Sequence, residues 1–158
     1  MSTLHLPPGI TYDAAPILGL GAASDEPLPD PGPGEVIVRV GAWSLQDLRT
    51  LRHNLMGDHD WCKEHPFFHE KLTPGIYRAR LPIPDSNWRK FNELKQLLHD
   101  GEEVAPAALV ATALFCLKQT GQDLLGTEWA RCVEVLPDEL RVILNVHWGR
   151  VRGSHLLG

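Results

Sequence analysis

The sequence predicts an α+β fold: a mostly antiparallel sheet of about four to five strands, two to three helices packed on one face, and a proline-rich N-terminal tail. Three observations carry this expectation. Segments of strict two-residue alternation occur in both halves of the chain. Between them lie stretches with helical spacing, one of them apolar on almost every side. The first 34 residues sustain neither period.

Residues 1–34 read as an acidic tail or linker, and 35–158 as a single α+β domain. Pro7, Pro8, Pro16, Pro27, Pro29, Pro31 and Pro33 each fix φ and lack an N–H, which disfavours helix interiors and central strands. The run Pro27–Gly34 should be extended and polyproline-like. The short apolar stretch Ala15–Leu20 suits docking on the body or on a partner.

Glu35–Val40 is the first strand, with Val36, Val38 and Val40 on one face and Ile37 and Arg39 on the other. Ser44-Leu45-Gln46-Asp47 resembles a capping box and opens a helix over about 45–55, carried by Leu45, Leu48, Leu51 and Leu55. Residues 57–72 lack a clean period; a short helical turn, then a loop anchoring its aromatics in the core, is the expectation. Gly75–Leu81 reads as a strand between Pro74 and Pro82. Asp85-Ser86 caps a helix over about 87–99. A further helix runs from about Pro106 to Lys118, with proline tolerated in its first turn. Its composition, from Ala107 through Leu117, demands burial as the central helix or at an oligomer interface. Glu128–Val135 and Leu140–Trp148 are strands, and Arg150–Arg152 forms a short last one.

Composition narrows the function. A hydrophobic share of 43% over 158 residues suits one globular domain and excludes a wholly disordered chain. Net charge is −5, but residues 1–34 hold four acids and no Lys or Arg, so the body is near neutral. Nonspecific nucleic-acid binding needs a far more positive surface. Three cysteines without a Cys-x-x-Cys pair and no leader pattern point to reduced thiols and a cytoplasmic location. No apolar run reaches the roughly 18 residues a spanning helix requires, so no membrane partner is expected.

The densest polar cluster is His53, Asp58, His59, Asp60, Cys62, His65, His69 and Glu70. Within it His59, Cys62, His65 and His69 supply imidazole and thiolate at spacings a zinc ion could collect. Cys62 beside a histidine is also a nucleophile candidate. The plainer reading is a loop of polar surface histidines around a packed Cys62.

Strand parity yields a second candidate. If the strands form one sheet with helices on one side, the uncovered face gathers Arg39, Arg78, Arg80, Arg131, Arg141, Asn145 and His147. Guanidinium forks suit carboxylates and phosphates, so this face would bind an acidic partner or an anion. The competing reading is an ordinary wet sheet face with cross-strand ion pairs to Glu35, Glu128 and Glu134. The tryptophans invite a stacking reading, but core placement is the expectation: Trp88 and Trp148 sit on apolar faces, while the parity of Trp61 and Trp129 leaves exposure open. Gly19-Leu20-Gly21 lacks the strand, helix and third glycine of a dinucleotide site.

The function these features suggest is a non-catalytic binding or accessory subunit. It would associate with a protein partner, or with itself, through the arginine face, the apolar helix or the N-terminal segment. One alternative is a metal-binding protein or metal-dependent enzyme using the cluster at 53–70. Another is a nucleic-acid-binding module using the arginines.

Overall fold

The computed structural model describes residues 9–51, 66–80, 96, 102, 103, 105–121, 130–135, 140–147 and 150–157. The first strand arises where the sequence suggested a tail. β1 (Ile10–Asp13) pairs in parallel with β2 (Glu35–Val40), and β2 pairs antiparallel with β3 (Gly75–Arg80). Parallel neighbours need a long crossover. Here it is a short helix, α1 (Ala14–Leu18), followed by the proline-rich run to Gly34. Gly19 ends α1 in the left-handed region at φ 73°, and Leu20 N–H closes the turn on the Ala15 carbonyl at 2.8 Å.

The Ser44–Asp47 capping box forms as its spacing predicts. The Ser44 N–H donates to Asp47 Oδ2 at 3.0 Å, and the Asp47 N–H donates to Ser44 Oγ at 3.2 Å. It starts α2 (Leu45–Leu51). Pro66–His69 is a 3-10 turn that buries Phe67 and Phe68.

α3 (Ala107–Gln119) is the helix that holds the fold together. Every residue from Ala107 to Leu117 is buried except the half-buried Val110. It packs on α1, α2 and β2, and also on β4 (Ala130–Val135), β5 (Leu140–His147) and β6 (Arg150–Leu157). An all-round apolar helix is therefore central, touching two sheets. Each large side chain buried there, such as Leu114 or Phe115, is worth roughly 1.5–3 kcal/mol. The alanines let neighbouring backbones approach.

Two polar ties position this helix. Trp43 Nε1 donates to Thr112 Oγ1 at 3.0 Å, and Thr112 Oγ1 donates to the Ala108 carbonyl at 2.7 Å. Thr120 Oγ1 bonds the Cys116 carbonyl at 2.9 Å and meets Tyr12 Oη of β1 at 2.8 Å. The core between them joins Tyr12, Val36, Val38, Val40, Trp43, Phe68 and Phe115.

Three expectations change. Among the described residues the strands form two three-stranded sheets, β1-β2-β3 (mixed) and β4-β5-β6 (antiparallel), in place of the single mostly antiparallel sheet of four to five strands. Alternation sets which face a residue takes, not which strands pair. Among the described helices, α3 packs on both sheets rather than on one face of a single sheet. Residues 10–18 belong to the folded body and are not tail. β4 and β5 lie within the expected strands, while β6 spans eight residues rather than a short stub. The helix expected over 87–99 lies outside the described residues.

Candidate functional site

The outer side of the first sheet, facing away from the core, carries the site. Register puts Thr11 and Asp13 of β1 beside Ile37 and Arg39 of β2, and Ile76 and Arg78 of β3 beside Arg39 and Ile37. Two ion pairs cross it. Arg39 meets Asp13 at 3.4 Å with both side chains mostly buried. Arg78, half-exposed, reaches both Glu35 oxygens at 2.9 and 3.1 Å.

These same carboxylates and Arg39 clamp the crossover. At one end the Ser24 N–H donates to Asp13 Oδ2 at 2.9 Å, and Arg39 Nη2 donates to the Glu26 carbonyl. At the other end the Gly32 N–H donates to Glu35 Oε1 at 2.6 Å, and the Glu35 N–H returns to the Gly32 carbonyl at 3.1 Å. The Gly32 N–H bond, ahead of the Arg78 guanidinium, holds the Glu35 carboxyl below its usual range. The segment 24–32 is thus a strap. It runs from the C-terminal ends of β1 and β2 back to their start, where Gly9 packs against Pro31 and Gly32.

One buried residue stands apart from the main core. Ile37 shares the outer side with the arginines, yet it is 0% exposed and lies outside the main core cluster. It sits between Glu35 and Arg39, the two residues that hold the strap's ends. Leu28 and Pro31 of the strap are half-buried, while Pro27, Pro29, Asp30 and Pro33 are exposed. From Pro27 to Gly32 the backbone forms neither helix nor strand. The sequence imposes this. Each residue from Glu26 to Pro33 is either a proline, whose φ is fixed, or precedes one, where the helical region is disfavoured.

Beyond the strap, β3 remains open. Ile76 is the one large apolar side chain exposed among the described residues, at 44%. Arg78 lies two residues on along the same side.

Comparison with protein-family models, with curated proteins and with solved structures finds no match. The functional reading therefore rests on this geometry.

The seven residues proposed as one anion- or partner-binding face divide between the sheets. Arg39, Arg78 and Arg80 lie on the first; Arg131, Arg141, Asn145 and His147 lie on the second. They do not line one sheet, which corrects the premise that placed them together. On the second sheet Asn145 pairs in register with Arg152, and His147 with Arg150. Arg150 and Arg152 join that set by position, and strand parity alone did not single them out. Of the proposed zinc ligands, His59, Cys62 and His65 lie outside the described residues. His69 is exposed on the 3-10 turn, its ring edge-on to Phe68 at 5.5 Å. Among the described residues no group of three metal-ligating side chains assembles. None of the described helices is long and apolar enough to cross a membrane.

A second concavity, an open groove of about 450 Å³, lies between α1 and the start of α2 and is lined by Ala15, Leu20, Gly41, Ala42, Trp43, Asp47 and Thr50. Its carboxylate, Asp47, is engaged by the Ser44 N–H, and its indole N–H by Thr112.

Sequence reasoning missed the strap because prolines were read as a signal of detachment. The available signals were Asp13 and Glu35, the acids that receive N–H groups from the crossover.

Proposed function

We propose that the chain is a non-catalytic binding or accessory subunit that docks a protein partner on the outer side of its first sheet. The observation that supports this reading is Ile76. Ile76 is exposed on the same side of β3 as Arg78, and so offers an apolar contact beside a guanidinium. On docking, an apolar side chain from a partner would cover it while partner carboxylates meet the arginines. A nucleic-acid partner draws less support, because nonspecific binding to phosphates needs a far more positive surface than a chain of net charge −5 offers.

Site-specific photo-crosslinking tests this in the cell of origin. A photoreactive phenylalanine analogue at position 76 should yield one discrete adduct with a protein identifiable by mass spectrometry. The same analogue at the exposed Gln119 on α3 should not. The purified partner should then bind the native chain and lose affinity by about tenfold or more for Ile76→Asp, the loss of a typical interface anchor. No adduct at 76, or the same adduct from both positions, would overturn the reading.

A further inference from the structure

We infer that the strap is itself a recognition element: a preformed acidic polyproline II ligand for a partner domain with an aromatic-lined groove and a basic rim. This rests on the reading that the chain binds a protein partner, and it specifies that partner's chemistry.

Four observations converge. From Glu26 to Pro33 every second residue is a proline, which fixes φ at its own position and disfavours the helical region at the residue before it. The ends are tied by Asp13, Arg39 and Glu35 to two strands. Between those ties, no hydrogen bond among the described residues engages the backbone of 27–31. Finally, Pro27, Asp30 and Pro33, three apart, form an outward ridge flanked by the exposed Pro29.

An aromatic groove reads polyproline II by packing ring faces against proline rings and donating hydrogen bonds to the carbonyls between them. Both features are presented here. Ordering costs, usually the main penalty for binding an extended segment, are already met by the clamps. The acids select among such grooves. Asp25, Glu26 and Asp30 are exposed, and residues 1–34 hold no Lys or Arg, so a lysine- or arginine-rimmed groove is favoured and an acidic one repelled. The Glu35 carboxylate that holds Gly32 also pairs with Arg78 of β3, so one partner can engage the strap and the β3 surface.

The test uses the full chain against a panel of purified WW and Src-homology-3 domains, by titration calorimetry at two salt concentrations. At least one basic-rimmed domain should bind with a dissociation constant in the micromolar range. Pro27→Ala/Pro29→Ala, which leaves Leu28 and Pro31 seated, should weaken that binding by about tenfold or more. Asp30→Asn should weaken it by roughly threefold and flatten its salt dependence. Unfolding curves for the variants should match the native chain, which separates a lost ligand from a lost fold. The inference is overturned if no domain of the panel binds, or if the folded proline variant binds as the native chain does. Should the partner captured at position 76 bind the proline variant unchanged yet lose Ile76→Asp, docking on the sheet stands and the strap's role falls.

Discussion

Arg39 and Asp13 occupy the same register position on parallel neighbours, and their side chains meet at 3.4 Å. Each also holds the strap, Asp13 through the Ser24 N–H and Arg39 through the Glu26 carbonyl. One mostly buried pair thus couples the β1–β2 ladder to the segment that joins its strands. A surface ion pair is worth little. This one matters because breaking it also releases backbone hydrogen bonds.

Arg39→Met is therefore expected to destabilise by about 1–2 kcal/mol, combining a lost charge-assisted bond with a loosened strap. For a chain of this size that lowers Tm by very roughly 3–6 °C. The specific signature is faster hydrogen exchange at the amides of Ser24 and Glu26, with α3 amides changed only in proportion to global stability. Unchanged exchange at Ser24 would refute the clamp.

Gly9→Ala tests the other end. A Cβ there would lie 2.6 Å from Pro31 Cβ and closer still to the Gly32 carbonyl, so the strap must shift. The expected result is a loss of about 1–3 kcal/mol, as for an overpacked site, with exchange raised at Gly32. By contrast Gly21→Ala, whose nearest contact would be Ala15 Cβ at 3.6 Å, should be tolerated.

Thr112 links the core indole to its own helix. Thr112→Val keeps the shape but strands the Trp43 N–H in the interior, and should cost about 1–3 kcal/mol in denaturant unfolding. Thr112→Ser should recover most of it. In a double-mutant cycle, Trp43→Phe and Thr112→Val should be less than additive, because the second change removes a partner already gone.

Alkaline pH should unfold the protein early. Burial, reinforced by the Asp13 carboxylate, pushes the Cys116 thiol up from 9.0 to about 12. Folding therefore favours the protonated thiol. The resulting stability is fully present below pH 9 and is lost as pH rises toward 12. Tyr12, also raised by burial, acts in the same direction. Cys116→Ala should flatten the part of this alkaline slope that belongs to the thiol. A slope identical in the variant would show that Cys116 does not ionise within the transition. At neutral pH Cys116 should react with thiol reagents no faster than the chain unfolds.

What the sequence made legible follows a physical division. Local rules worked. The two-residue period of Val36, Val38 and Val40 placed them inward, the Ser44–Asp47 spacing marked a helix start, and the all-round apolar Ala107–Leu117 marked the centre. Non-local pairing did not follow from such rules. Nothing in the alternation of Arg141 or His147 says that their strand joins a different sheet from that of Arg39 and Arg78. β1 escaped notice because a strand of only four residues, Ile10–Asp13, has too little pattern to stand out beside its prolines. Its stability comes from a partner 26 positions away, as the Asp13–Arg39 register shows. The candidate site was half visible: the arginines stand out in the sequence, and the ties of the crossover to Asp13, Arg39 and Glu35 do not.

The crossover also guards against self-association. β1 occupies one edge of β2, and the strap is tied to both strands through Asp13, Arg39 and Glu35. A chain trimmed to begin at Glu35 would keep the central helix and both remaining strands of that sheet. It would also bare a row of unpaired amides along a valine- and isoleucine-rich ribbon, the kind of template on which strands of other molecules stack into fibres. The prolines that made this segment look dispensable would then be missed first as a guard against aggregation.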